Sequence, residues 1–190
     1  LSLPPKVGYG VREALQTLLR QVRVLNSLKY MNSIKRFLEE SNNIEDVWDE
    51  DSLQQAFYAW EYIIDQSTLT IDNILKTHKI LMLHQKLLPN EKGYFRTQQV
   101  WVGTQEKMRW EKIPLAVEDW CEDVATSIKV AGKNGKHIQL DHVQYENIHP
   151  FIDGNGRTGR IFLNWERVQA GLPVLVIKEK EKAKYYKWFH

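Results

Sequence analysis

The feature that most constrains this chain is the segment from His149 to Arg160, which places a histidine, an acid, a Gly-Asn-Gly turn and two arginines in succession. The apolar residues that follow recur at helical spacing and predict a helix that ends near Gly171. Gly154 and Gly156 can adopt positive φ and have no Cβ, so the backbone before this helix can curve around an anion. Unpaired amides and the positive end of the helix dipole favour an anion at the same place. The segment therefore predicts a phosphate-binding loop.

The side chains of this loop suit a polyphosphate. Arg157 and Arg160 are three positions apart, so both reach one face of the first helical turn and offer forked donors to phosphate oxygens. Asp153 supplies a hard oxygen ligand for Mg²⁺, and the ordinary pKa of His149 allows it to accept a proton near neutral pH. The segment thus combines a base, a metal ligand, an anion-binding turn and two arginines that can neutralise phosphate charge. This combination favours phosphoryl or nucleotidyl transfer. A glycine-rich structural turn with solvent-facing arginines is the alternative, and it fits a lone Gly-Asn-Gly better than the whole segment.

The segment also resembles the signature of the Fic family, H-x-F-x-(D/E)-G-N-G-R-x-x-R, at every defined position. The resemblance implies an all-α fold, a Fic-type helical bundle with a small β-hairpin flap beside the active-site loop. It implies transfer of AMP from ATP to a hydroxyl side chain of a target protein. By the same resemblance His149 deprotonates that hydroxyl, Asp153 holds Mg²⁺ and Phe151 anchors the loop. The nucleotide would be bound by Asp153, Gly154, Asn155, Gly156, Arg157, Thr158, Gly159 and Arg160.

Composition and charge narrow the functional class. The 190 residues suffice for one domain with a core, and a net charge of +2 argues against a nucleic-acid partner or a polybasic membrane binder. Cys121 is the single cysteine, which excludes a disulfide framework and favours a reducing, cytoplasmic setting. No apolar run approaches the length of a membrane span. We therefore expect a cytoplasmic protein without a membrane partner.

The N-terminal part is predicted to hold an irregular arm and two helices. Leu1 to Gly10 is the arm, and apolar residues at helical spacing predict helices from Val11 to about Arg23 and from about Leu25 to Glu40. We expect both helices to pack on the catalytic part of the chain. The expected division is an N-terminal helical segment, residues 1–50, and a catalytic domain, residues 51–190.

The polar run from Ser41 to Asp46 is a turn or a helix cap in plain chemical terms. It also resembles the inhibitory motif of Fic proteins, (S/T)-x-x-x-E-(G/N), in which Ser41 is the first residue and Asp46 replaces the final Gly or Asn. The resemblance implies that Glu45 enters the active site and pairs with Arg160, where the γ-phosphate would otherwise bind. An ordinary surface acid at position 45 is the alternative.

A β-hairpin is predicted within the strand-like stretch from Tyr94 to Trp110. Residues 100–103 are β-prone, and a turn at 103–106 returns the chain. An open edge of such a hairpin can pair with an extended peptide, so it is the predicted binding edge for a protein substrate. Its resemblance to the flap of Fic proteins is carried by Gly93, Arg96, Val100, Val102 and Gly103. That resemblance brings Val102, Gly103, Thr104 and Gln105 near the nucleotide; a purely structural hairpin is the alternative.

The remaining pattern is helical. Helices are predicted from Ser52 to Ile64, from the N-cap Thr70 to Met82, from Pro114 to Ile128, and from about Gln139 to Asn147. The histidines at 78 and 84 do not share a helical face, and His142 is expected to be structural, so none is a predicted metal ligand. Tyr185 and Tyr186 resemble the tyrosines that line the adenine pocket of Fic enzymes, and burial in the core is the alternative.

The sequence thus predicts a protein adenylyltransferase autoinhibited by Glu45, with ATP as co-substrate and Mg²⁺ as cofactor. Three alternatives stay open. The same site could remove AMP from modified proteins, it could transfer another group, or the chain could bind nucleotide without turnover. The intact Gly-Asn-Gly-Arg loop disfavours the kinase variant found in Doc toxins. The target protein, self-modification and a homodimer are also left open.

Overall fold

The computed structural model describes residues 9–130 and 135–189; in the first helix it describes the side chains of Leu18 and of residue 25 onward. This part of the chain forms seven α-helices, three short 3₁₀ turns and one two-stranded antiparallel sheet. The helices are α1 Tyr9–Ile44, α2 Glu50–Ile64, α3 Ile71–Leu81, α4 Ile113–Val130, α5 Lys136–Ile148, α6 Asn155–Gln169 and α7 Lys182–Tyr186, and the strands are β1 Trp101–Val102 and β2 Gln105–Glu106. The all-α prediction with a small hairpin is confirmed. Among these residues no helix is both long and apolar enough to cross a membrane.

Helix α6, which follows the predicted phosphate-binding loop, is the central helix and packs against α1 to α5. An aromatic cluster of Trp120, Tyr145 and Phe162 joins α4, α5 and α6. The same helix buries the charged side chains of Arg157, Arg160 and Glu166. Because buried charges need partners inside the protein, these three residues point to a site built into the core.

The first helix is one continuous element, so the prediction of two N-terminal helices is wrong. The junction between the two predicted helices contains neither proline nor glycine, and nothing there interrupts the backbone hydrogen bonds. Among the described side chains of α1, the apolar ones buried in the core come from its C-terminal end, whereas Leu25, Leu28 and Met31 are exposed. Of the predicted arm, residues 1–8 lie outside the described part, and Tyr9 and Gly10 already belong to the helix.

The helix starts follow local capping chemistry. Asp49 Oδ1 accepts a hydrogen bond from Ser52 N at 2.7 Å, so α2 begins two residues before the predicted start. Thr70 is the N-cap of α3, as predicted, and forms a reciprocal capping box with Asn73. Helix α5 begins three residues earlier than predicted, directly after Gly135.

The hairpin is much shorter than the strand-like stretch from Tyr94 to Trp110. Trp101 lies opposite Glu106, and Val102 lies opposite Gln105. Gly103 has φ 59 at the first central position of the turn, where a two-residue hairpin of this kind requires glycine. All four strand residues are exposed, so the hairpin projects from the helical body with an accessible edge.

Candidate active site

The loop between α5 and α6 is held in place by packing and by its own side chains. Phe151 is fully buried, and its ring stacks on that of His78 with the centroids 3.7 Å apart. The side chain of Asn155 closes the loop, since Oδ1 accepts from Phe151 N and Nδ2 donates to Phe151 O, both at 2.9 Å. The backbone is left-handed at His149, with φ 51, and at Gly154, with φ 78. The loop is therefore fixed between the end of α5 and the first turn of α6.

His78 contributes to this fixation as a neutral core residue. Its Nδ1 accepts from Gly93 N at 2.9 Å, so Nε2 carries the proton and donates to Asp153 O at 3.0 Å. Burial lowers the pKa of His78 to about 4, which agrees with a neutral ring. The imidazole thus links α3, residue 93 and the loop, a role that helical spacing alone does not reveal.

Arg160 is 2 % exposed and binds the C-terminal end of α1. Nε donates to Ser41 Oγ and Nη2 to Ser41 O, each at 2.9 Å, and Nη2 also donates to Glu45 Oε1 at 2.7 Å. On the other side, Nη1 donates to Tyr185 OH at 3.4 Å, and this hydroxyl is hydrogen-bonded to His142 Nε2 at 2.8 Å. The structure therefore brings Ser41, Glu45 and Arg160 together.

The carboxylate of Glu45 lies over the first turn of α6. A Cβ at position 156 would collide with Glu45 Oε1 and would crowd Arg160 Nη1. Glycine at this position leaves room for an anionic group at a helix N-terminus, where free amides and the helix dipole favour negative charge. In this structure the Glu45 carboxylate fills that room.

A cavity of about 560 Å³ opens beside the Glu45–Arg160 pair, a size typical of small-molecule sites. The end of α1, the hairpin, the α5–α6 region and the C-terminal turn all contribute to its lining. The predicted site residues that line it are Glu45, Val102, Gly103, Thr104, Gln105, His149, Gly156, Arg160, Tyr185 and Tyr186.

His149 lies in this cavity, and its side chain is 18 % exposed. Burial, reinforced by the positive charge of Lys107, lowers the pKa of His149 to about 4, so the imidazole is neutral at pH 7. Its Nδ1 lies 3.8 Å from Glu146 Oε2. A neutral imidazole in a cleft can accept a proton from a hydroxyl group.

Two charged residues of the cavity were not anticipated from the sequence. Burial raises the pKa of Glu146 to about 7. Burial lowers the pKa of Lys107, whose Nζ donates to Gln105 Oε1 at 3.1 Å. Glu146 lies in the last turn of α5, three positions before His149, and this closeness to the predicted base could have identified it. The sequence around Lys107 carries no comparable signal, because only the packing of the hairpin brings it to the cavity.

A sequence model of the Fic/DOC family matches residues 68–166, which include α3, the hairpin and most of α6. The chain belongs to the Fic/DOC family. The match covers the α5–α6 loop and the flap, so the resemblance inferred from the signature is confirmed.

Curated relatives of this Fic chain include two proteins named protein adenylyltransferase Fic. The protein from Drosophila erecta is 34% identical over 129 residues, which cover 65% of this chain and 25% of the relative. The protein from Drosophila willistoni is 32% identical over 128 residues, covering 65% and 24% respectively. The chain therefore spans about a quarter of the length of the curated relatives that it matches.

Solved structures establish the Fic fold. A Fic domain containing signaling protein from Bacteroides thetaiotaomicron superposes with a TM-score of 0.72 at 18% identity, covering 84% of this chain and 71% of the other. Fic-1 from C. elegans superposes with a TM-score of 0.67 at 18% identity, covering 93% and 68%. The predicted Fic-type helical bundle is thus confirmed.

Some signature residues of this Fic domain lie outside the cavity lining. The Thr158 hydroxyl donates to Gly154 O at 2.8 Å and is hydrogen-bonded to Tyr145 OH, deep in the core. A Cβ at Gly159 would meet Glu146, so this glycine permits close packing of α5 on α6. The ring of His142 donates from Nδ1 to the carbonyl of the same glycine at 3.1 Å, which gives this histidine a structural role.

Arg157 and Asp153 are the remaining charged residues of the signature. Arg157 is buried, and its Nη2 lies 3.7 Å from Asp153 Oδ2. Its Nε and Nη1 are buried and have no hydrogen-bond partner among the described residues. Asp153 is 58 % exposed at the loop. Within residues 9–130 and 135–189, no three His, Cys, Asp or Glu residues cluster so as to hold a metal ion. A single exposed carboxylate of this kind is the type of ligand that Mg²⁺ combines with substrate phosphates.

Proposed function

We propose that this Fic domain transfers AMP from ATP to a hydroxyl side chain of a target protein and that Glu45 restrains the reaction. The observation that carries the proposal is a single cavity lined by a neutral His149, by Arg160 and by an exposed hairpin. The names of the Drosophila relatives, protein adenylyltransferase Fic, support it.

In the proposed reaction the target hydroxyl oxygen attacks the α-phosphorus of ATP. A bond forms between these two atoms, the bond from the α-phosphorus to the oxygen that bridges to the β-phosphate breaks, and pyrophosphate leaves. The hydroxyl proton moves to the neutral imidazole of His149, which acts as general base. Such a base typically contributes about 10²–10⁴-fold to the rate.

The N-terminus of α6 would receive the phosphates. The unpaired donors of Arg157 suit phosphate oxygens, and the room above Gly156 suits a negatively charged group. Arg160 would exchange the Glu45 carboxylate for a phosphate, because one guanidinium edge cannot serve both anions. Preorganised donors of this kind usually supply the largest stabilisation of a phosphoryl transition state.

Asp153 fits Mg²⁺, which is usually bound by one or two carboxylates together with substrate phosphates and water. Its carboxylate is exposed at the same loop, and Oδ1 accepts from Gly154 N at 2.6 Å. The cation would neutralise charge on the phosphates, while Asp153 would orient it toward the first turn of α6.

The hairpin would bind the target. An extended peptide can add to the exposed edge of β1 through main-chain hydrogen bonds, which brings its hydroxyl toward the cavity. Tyr185 and Tyr186, which also line the cavity, would pack against the adenine. Both roles are recognition rather than chemistry.

The proposal is tested with radiolabelled ATP and Mg²⁺ in the Glu45→Gly background. We expect labelled AMP on the protein itself or on proteins of an added lysate, and a loss of at least about 10²-fold when His149→Ala is added. His84→Ala is the matched control, because His84 lies outside the cavity, against Asp49 at the start of α2. Equal labelling with and without His149 would overturn the assignment of the base.

Removal of AMP is a second candidate function. It is favoured by the location of Glu45, whose carboxylate lines the same cavity as His149 and could align a water molecule. An AMP-modified protein should then release AMP with the wild-type chain and not with Glu45→Gly. The forward reaction predicts the opposite order of activities.

A further inference from the structure

Arg96 joins the hairpin to the loop between α5 and α6 through five hydrogen bonds. On the hairpin side, Nη1 donates to Gln98 O at 2.7 Å and Nη2 to Met108 O at 2.5 Å. On the loop side, Nε donates to His149 O at 2.8 Å and Nη2 also reaches Ile148 O at 3.3 Å. The fifth bond is from the backbone, where Arg96 N donates to Pro150 O at 2.9 Å. One buried guanidinium therefore contacts both legs of the hairpin and the backbone of the proposed base.

We propose that Arg96 is a positioning residue that fixes the substrate-binding edge of the hairpin relative to His149. This inference rests on the proposed function, because it concerns where a target peptide lies with respect to the general base. Arg96 does not touch the reacting atoms and acts through the backbone of its neighbours.

The surroundings of Arg96 are unusual for a buried arginine. Its residue is 4 % exposed, and every acceptor recorded for its side chain is a main-chain carbonyl rather than a carboxylate. Burial removes water from the guanidinium and lowers its pKa. A desolvated charge is retained only where its hydrogen bonds are well satisfied, and the convergent carbonyls of three chain segments meet that condition.

The contacts also explain how His149 keeps its backbone conformation. Helix α5 ends at Ile148, and the last carbonyls of a helix have no partner within it. His149 follows in the left-handed region, with φ 51, which is uncommon for a residue with a side chain. Arg96 binds the carbonyls of both residues, so it caps the helix and holds the strained position.

The hairpin needs such support. Two strands of two residues each are marginal by themselves. Gln99 and the backbone of Lys107 tie the two legs to each other, since Gln99 Nε2 donates to Lys107 O at 2.6 Å and Lys107 N donates to Val100 O at 3.1 Å. Arg96 adds the bonds that tie both legs to the loop. A peptide paired with β1 would therefore be held at a fixed distance from the imidazole of His149.

Lysine cannot replace this arrangement. A guanidinium presents five donors in a planar fork, whereas an ammonium group concentrates three donors at one point. The carbonyls of residues 98, 108 and 149 lie on different sides of the guanidinium, so a lysine can reach only some of them. Arg96→Lys keeps the positive charge but loses the planar arrangement of donors. This variant therefore separates the effect of hydrogen-bond geometry from that of charge.

Hydrogen–deuterium exchange of the full chain tests the link directly. In Arg96→Lys we expect the amides of residues 96, 107 and 149 to exchange about tenfold faster or more, because charged hydrogen bonds that hold the hairpin and loop are lost. Amides of α2 and α6 should exchange as in the wild type. Arg109→Lys is the matched control, because Arg109 follows Met108 on the second leg of the hairpin, is exposed and binds Glu111.

Two results would overturn the proposal. The first is unchanged exchange at residues 96, 107 and 149 in Arg96→Lys. The second is an equal acceleration in α2 and α6, which would make Arg96 a general stabiliser of the fold. Arg96→Met serves as a second variant without charge, and if it fails to fold the lysine variant decides alone.

Kinetics in the Glu45→Gly background supply the functional readout. Arg96→Lys should retain the affinity for ATP and Mg²⁺ within about threefold by calorimetry, since Arg96 is not among the residues that line the cavity. The rate of AMP transfer at saturating ATP should fall by roughly tenfold to 10²-fold, because misplacement of reacting groups by about 1 Å costs that much. Loss of ATP affinity with an unchanged rate would contradict the positioning role. Absence of transfer in the parent would instead refute the proposed function, and the exchange experiment would still decide the role of Arg96.

Discussion

Arg160 Nη2 donates a 2.7 Å hydrogen bond to Glu45 Oε1, and the same guanidinium binds the hydroxyl and the carbonyl oxygen of Ser41. Ser41 and Glu45 precede Arg160 by 119 and 115 positions in the sequence. These hydrogen bonds therefore join the C-terminal end of α1 to the first turns of α6. The arginine is 2 % exposed at its side chain and the glutamate 36 %, so the carboxylate can leave more easily than the guanidinium. When this ion pair opens, we therefore expect the Glu45 side chain to move and that of Arg160 to stay in place.

The first prediction concerns this pair. Glu45→Gly should raise the affinity for ATP with Mg²⁺ by about tenfold or more, because the carboxylate that competes for Arg160 is gone. Glu45→Gln should give a smaller increase, since it keeps the bulk over Gly156 and loses the charge. Isothermal titration calorimetry measures both. Glu39→Gln is the control, because Glu39 is on the same helix and pairs with the exposed Lys35. Equal affinity in the wild type and Glu45→Gly would end the idea of competition.

The second prediction concerns the residue after the glutamate. Asp46 has φ 56, the left-handed region in which glycine and asparagine are favoured, and this explains why the related motif ends in Gly or Asn. Asp46→Asn should raise the free energy of unfolding by about 0.5 kcal/mol, because it also removes a negative charge at a helix C-terminus. Asp46→Ala should lower it by about 1 kcal/mol. Urea denaturation compares the three proteins, and a stabilising Ala variant would contradict the explanation.

The signature loop could be predicted from the sequence because its chemistry is local. Gly154, Asn155 and Gly156 specify a turn within a few residues, and the helical spacing after them specifies α6. The pairing of Glu45 with Arg160 was implied by resemblance to a motif, since no spacing rule connects positions 115 residues apart. Local chemistry thus gave the loop, whereas the long-range contact needed family information.

Other parts of the site depend on tertiary packing, and the sequence did not reveal them. Lys107 reaches the cavity because the hairpin folds against α5, and His78 reaches Asp153 because α3 packs under the loop. The continuity of α1 was missed for another reason. The apolar residues of α1 do not stay on one face along its length. In the sequence this change of face resembles a boundary between two helices, although no residue interrupts the helix.

The third prediction concerns pH. Burial and the charge of Lys107 hold the pKa of His149 at about 4, below its ordinary 6.5, and burial raises the pKa of the nearby Glu146 to about 7. His149 therefore stays neutral as the pH falls from 8 to 5 and loses its function as a base only below about 5. A pH profile of AMP transfer with Glu45→Gly should show an acid limb near 4 from the imidazole.

Glu146 complicates this profile and provides its control. Its carboxyl should add a step near pH 7, because it lies 3.8 Å from the imidazole and changes charge there. Glu146→Gln should remove that step and leave the acid limb. NMR titration of the His149 ring gives an independent measurement, and a midpoint near 6.5 would show that the ring is not desolvated.

The fourth prediction concerns a buried acid pair away from the cavity. Glu166 on α6 is 2 % exposed and shares a hydrogen bond with Asp141 on α5. Burial, together with the hydrogen bond and the charge of Asp141, raises the pKa of Glu166 to about 10 from an ordinary 4.5. The folded protein thus holds a proton that the unfolded chain releases. The stability from this proton is complete below pH 4.5 and fades as the pH rises toward 10.

Between pH 7 and 9 this pair should dominate the pH dependence of stability. The lowered pKa values of the buried histidines act only below about 6.5, and the raised pKa of Glu146 acts only up to about 7. The free energy of unfolding should therefore fall by about 1 kcal/mol per pH unit over this range, measured by urea denaturation. Glu166→Gln should flatten the dependence, because an amide has no proton to lose, whereas Glu122→Gln at an exposed position of α4 should keep it. A Glu166→Gln protein that still loses stability at the wild-type rate from pH 7 to 9 would show that the pair does not share a proton in the folded state.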